Sequence, residues 1–210
     1  DAWAPGAPYQ QAFTRPADEA AAKQRLLQIL TGMGTLSEGE LAGERMQIAL
    51  AANSQEDEHS CFSDNTHRDI WLNAEGVANS YFGDYAGYDR TLDGQDDATG
   101  RAVTGYGVDD YLRDVGQAAL ADQVAAALES TRGHCAAIDG AARAGRPIDV
   151  LIANASGDDA QPMRDAIRSL NAQSALIARV AVDLGLGDAA QVVDPDASAC
   201  DTSDPTAECP

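Results

Sequence analysis

The residues best suited to chemistry are crowded into one short run. Glu56, Asp57, Glu58 and His59 are followed by Asp64 and His67, with Cys61, Phe62 and Ser63 between them. On a helix, Glu56 and His59 would share a face at i, i+3, the spacing that places Glu and His together in bundle metal sites. Carboxylate and neutral imidazole ligands suit Fe, Mn or Zn, whereas calcium takes oxygen ligands. Glu56, His59, Asp64 and His67 are therefore the candidate metal ligands. Cys61-Phe62-Ser63 breaks the helix, and Asp64 is placed to cap the next one. The competing reading is a helix–turn–helix corner whose histidines hydrogen-bond to carboxylates. Arg45 and Arg68 flank the run and are expected to pair with Glu56, Glu58 or Asp69.

Other chemistry has little support. No G-x-S-x-G or H-E-x-x-H occurs, and no glycine-rich phosphate loop follows a strand. Asp89, Asp93, Asp96 and Asp97 lack the register of a calcium loop and the distal Glu, so a solvated loop is the expectation. Four cysteines are present. Cys200 and Cys209 lie in a polar tail that a disulfide would close, and a bridge is expected there. A second candidate bridge joins Cys61 to Cys135, with a buried free thiol at each as the alternative.

The elements that must hold these residues are helical. Leu26, Ile29, Leu30 and Met33 repeat at helical spacing after Asp18, with Gly32 and Gly34 expected to end the run. Ser37 to Ala52 forms a second amphipathic stretch, opened by a capping box at Ser37 and Glu40. Ile70, Ala74, Val77 and Tyr81 mark a third. Two longer stripes run from Leu120 to Ala142 and from Met163 to Leu184, the latter behind Pro162 and closed by Gly185 and Gly187. Gly83 to Gly107 carries no period. No alternating strand pattern occurs. The fold class expected is all-α: an antiparallel four-helix bundle over 1–187 with an additional short helix, followed by an acidic cysteine-containing tail over 188–210.

Charge narrows the partners. The 210 residues hold 34 acidic and 14 basic side chains, a formal net charge of -20, with Lys23 the lone lysine. That balance excludes a phosphate-seeking surface and favours cations as partners. No apolar run is long enough to span a membrane. The start, Asp1-Ala2-Trp3, has no initiator Met and no apolar leader, and an export signal already removed is the expectation.

The segment from Gly43-Glu44-Arg45-Met46 through Gln55-Glu56-Asp57-Glu58-His59-Ser60-Cys61-Phe62-Ser63-Asp64-Asn65-Thr66-His67 resembles the imelysin family, closest to its iron-regulated protein A type. The similarity continues through Gly76, Tyr81-Phe82-Gly83 and Tyr88-Asp89-Arg90, then through the two long helices to Leu184-Gly185-Leu186. The resemblance implies one half of a two-bundle fold, a periplasmic or outer-membrane-associated address, and a link to iron acquisition. It also implies an alternative activity, that of a metallopeptidase. The family's G-x-H-x-x-E motif belongs to its first half and is absent here, because Gly133-His134 is followed by Cys135 and no Glu stands three residues after any histidine. The chain thus resembles the second half. Its implied partners are an imelysin-type N-terminal half, from the same precursor or a separate chain, and periplasmic or outer-membrane iron-uptake proteins. A third possibility is a structural or interaction module whose polar corner buttresses a partner. The implied cofactor is a divalent metal, Fe or Zn.

Overall fold

A computed structural model describes residues 2–87, 102–153 and 155–193. A short helix, α1 (Pro8–Thr14), leads into a long rod. The rod begins as α2 (Glu19–Thr35), continues through a π-helical segment at Leu36–Gln47, and ends as α3 (Ile48–Ala52). There follow α4 (Thr66–Phe82), α5 (Val108–Asp114), α6 (Ala118–Arg143), α7 (Ile148–Ile152) and α8 (Gln161–Asp183). Among the described residues the sole strand-like feature is an antiparallel bridge between Tyr85 and Val103.

Four rods close a ring. α8 packs against α2, the π-helical segment and α6, while α4 packs against α6 and the π-helical segment. One core cluster joins Leu30 from early α2, Val77 and Tyr81 from late α4, Leu128 from early α6 and Ile177 from late α8. The other joins Leu50, Ile70, Ile138 and Met163, the opposite ends of the same rods. Successive rods therefore run antiparallel. The all-α bundle with a short leading helix is the architecture observed.

The apolar stripes account for this packing. Ile70, Ala74, Val77 and Tyr81 are buried, as are Leu120, Val124, Leu128, Cys135 and Ile138, and Met163, Ile167, Leu170 and Ile177. Asp18 caps α2 by accepting from the Ala21 N–H at 2.8 Å, which satisfies one of the helix's orphan donors. Pro162 sits in the first turn of α8.

The break expected at Gly32 and Gly34 does not occur. Leu36 (φ -62°) and Ile48 (φ -58°) stay right-handed helical at the two joins, so the rod runs on to Ala52. Ser37 consequently opens no capping box. Its hydroxyl donates instead to the Met33 carbonyl at 2.7 Å and accepts from Gln173 Nε2 at 2.7 Å, both inside the core. Tertiary packing explains the difference. Gly34 is held against Val192, whose carbonyl a Cβ there would strike, so glycine at this point serves close approach rather than termination. Val192 is itself buried, and Thr31 donates to the Gln191 carbonyl at 2.8 Å. The Gln191 carbonyl and Val192 thus meet the bundle at α2. The short α5 follows directly on the aperiodic stretch that ends at Gly107.

Candidate functional site

The polar run forms a corner between the end of the long rod and the start of α4. Asn53 adopts a left-handed conformation (φ 50°) and ends α3. A single 3-10 turn, Gln55–Asp57, follows, and Glu58 is already extended (φ -74°, ψ 150°). Glu56 and His59 therefore do not share a helical face, which corrects the spacing argument: the helix that would align them ends at Ala52. Asp64 also takes a left-handed conformation (φ 50°). It does not cap α4; Asn65 occupies that position and makes no side-chain cap bond.

Asp69, in the first turn of α4, organises the loop instead. Its carboxylate accepts from the Ser60 hydroxyl and from Asn65 Nδ2 (3.4 Å), and His59 Nε2 lies 4.0 Å away. Negative charge here also complements the helix N-terminus. The Ser60 N–H donates to Thr66 Oγ1 at 2.9 Å, which ties the loop to α4.

Two buried carboxylates lie beneath this surface. Glu58 is 6% exposed, and its Oε2 has no hydrogen-bond partner among the described residues. Burial raises its carboxyl above the ordinary value; a hydrogen bond with Thr66 works against the rise, and the charges of Asp64 and Asp149 add to it. Asp139, on α6, is 1% exposed. Arg143 Nε reaches it at 2.6 Å, Arg68 Nε at 3.5 Å and His67 Nε2 at 3.9 Å. A carboxylate this deep requires such partners, because isolated buried charge is strongly disfavoured. Asp139 escaped the sequence argument, although it stands four residues after Cys135 and so falls on the apolar stripe of its helix. An acid on a core face is the signal that would have found it.

The four candidate ligands are thus divided. His59 faces Asp69 and His67 faces Asp139, while Glu56 and Asp64 are exposed on the loop. Among the described residues, no group of three or more His, Cys, Asp and Glu side chains is placed to hold a metal ion. The arginines also differ from expectation: Arg45 pairs with Glu40 at 2.6 Å within the π-helical segment, and Arg68 turns toward Asp139.

The bridge expected between Cys61 and Cys135 is absent, and both thiols are free. Cys135 is fully buried in the core, where desolvation first and the charge of Glu75 second push its thiol up to about 12. Cys61 lies half-buried on the loop. A thiol packed in the core among Leu50, Ile70 and Ile138 is not bonded to the one on the loop. Cys200, Cys209 and the acidic loop at Asp89, Asp93, Asp96 and Asp97 lie outside the described residues, as does Tyr88-Asp89-Arg90.

At the apex of the corner Phe62 is 98% exposed. A large aromatic so fully in water, next in sequence to a half-exposed thiol and on the loop that carries a buried, incompletely bonded carboxylate, marks a surface suited to contact. No described helix is long and apolar enough to cross a membrane. No curated protein matches the chain. The family model described as Imelysin matches residues 1–177.

Proposed function

Because the chain belongs to the imelysin family, we propose that it is the docking half of an imelysin-like protein linked to iron or metal acquisition, exported to the periplasm or the outer membrane. The corner from Glu56 to His67 is the face it presents to an imelysin-type first half. The observation that carries this reading is Phe62, 98% exposed on the same loop as Glu58, whose buried Oε2 lacks a partner among the described residues. A partner surface would cover the ring and draw the loop that carries Glu58 into the interface. Its own His and Glu would add to His59 and the exposed Glu56 and Asp64, completing a donor set for Fe or Zn that the described residues do not assemble by themselves.

The interaction-module reading also has a specific observation in its favour. His59 and His67 each already face a carboxylate, Asp69 and Asp139, so the corner can buttress a partner with no metal present.

One experiment separates the two. Metal binding by the chain is measured calorimetrically with Fe and Zn, with and without an imelysin-type first half. The metal-linked reading expects weak binding by the chain, tighter binding in the pair, and loss of that gain on His59→Ala. Pair formation with no gain in metal affinity would leave the interaction module. Tight binding by this chain, indifferent to His59→Ala, would refute the shared site.

A further inference from the structure

A second candidate site lies at the other end of the bundle and does not depend on the docking proposal. A cleft of about 540 Å³ opens between α2, the last turn of α4 and the start of α5. Leu26, Ile29 and Val108 form its apolar floor, Tyr106 and Tyr111 its aromatic walls, and Lys23 with Glu19 its charged rim. The volume falls within the 300–1,000 Å³ typical of small-molecule sites, and an apolar lining with few polar groups is their usual composition.

The walls are held in place before any ligand arrives. Gly107 crosses the end of α4 so closely that a Cβ there would collide with the Phe82 backbone. Its N–H donates to Asp110 at 3.1 Å. Tyr106, 63% exposed, donates its hydroxyl to Asp114 at 2.7 Å. That bond leads the causes that push its phenol up to about 12. The ring thus stays protonated and anchored at neutral pH, a fixed wall rather than a swinging one.

The rim selects the ligand's charge. Lys23 Nζ and Glu19 stand 2.9 Å apart, one helical turn from each other, and both are solvent-exposed. Such a pair is weakly held in water and free to exchange partners. An ammonium and a carboxylate this close match a ligand whose own carboxylate and ammonium are borne on one carbon. A simple anion would meet the repulsion of a chain carrying -20, and a simple amine that took Glu19 as its partner would leave the Lys23 ammonium beside it without a carboxylate. We propose that this cleft binds a net-neutral α-amino acid with a large apolar side chain, its side chain on the Leu26–Val108 floor between the two tyrosines.

The test titrates the full chain with L-tryptophan, followed by protein-observed NMR. Indole-3-propionate, which lacks the ammonium, and tryptamine, which lacks the carboxylate, are titrated alongside. L-tryptophan should bind in the millimolar range or tighter, with each fragment severalfold weaker. Tyr106→Ala should weaken it about tenfold, the scale of one aromatic contact. Lys23→Gln should erase the preference over tryptamine. Both variants alter exposed positions, and unchanged circular dichroism verifies their folds. Equal binding of all three compounds, indifference to Tyr106→Ala, or no binding by about 10 mM would overturn the proposal.

Discussion

Where α4 ends, the bundle closes over Leu30, Val77, Leu128 and Ile177, and the Tyr81 hydroxyl is satisfied by donating to the Ala121 carbonyl at 3.0 Å. Where α4 begins, Glu58 and Asp139 are buried, and Phe62 stands in water on the same loop as Glu58. The core of the first end is held by packing with the neutral hydrogen bonds of Tyr81 and Thr31. The second adds charge to packing, and its polar groups draw on partners at the surface. A bundle has no stability reason to bury carboxylates where apolar side chains would serve as well or better. The contrast assigns the packed core of the first end to stability and the polar corner of the second to docking.

The comparison can be broken most forcefully at the packed end. Leu128→Ala opens a cavity among fully buried neighbours and should cost about 3 kcal/mol in urea unfolding, nearly independent of salt and pH. A strong salt dependence would put charge where the account has none. At the polar end, Asp139→Ala leaves Arg68 and Arg143 without their shared carboxylate. Both guanidinium groups are partly in water, so the loss should be about 2 kcal/mol, below the value for a fully buried pair. It should shrink in high salt. A smaller test is Tyr81→Phe, which removes a neutral hydrogen bond and should cost about 1 kcal/mol at any pH.

Glu58→Gln sharpens the contrast by reversing the sign. The folded-state carboxyl is raised above its ordinary value of 4.5. Its contribution to stability is therefore fully present below the unfolded value and is lost as pH rises through the folded one. At pH 7 the wild type carries that penalty and the glutamine does not. The variant should melt at a higher temperature at neutral pH, and the gain should fade as pH falls toward 4.5. A lower melting temperature at pH 7 would mean that the charged form is the one the fold accommodates.

The helices were legible because burial repeats with the helical period: Ile70, Ala74, Val77 and Tyr81 are all inside, as their spacing requires. What local sequence could not convey was long-range contact. Gly34 reads as a terminator until Val192 is seen against it, and Ser37 reads as a cap until its bonds to Met33 and Gln173 are seen. The corner was legible as a place but not as an arrangement. The loop geometry after Asn53 turns Glu56 outward and Glu58 inward, so the buried carboxylate is the neighbour of the one that spacing favoured. Asp139 belongs to the corner only because α6 packs on α4, a pairing that neither segment encodes locally.

The central claim, that the corner is a recognition surface, is tested most directly by hydrogen exchange on the chain with and without an imelysin-type first half. Phe62→Ser serves as the control, because a fully exposed ring should contribute within about 0.5 kcal/mol to the chain's own stability. The account predicts slowed exchange confined to the loop between Asn53 and His67, abolished by Phe62→Ser. Binding that leaves this loop unprotected, or protects it equally in the Phe62→Ser variant, would contradict it.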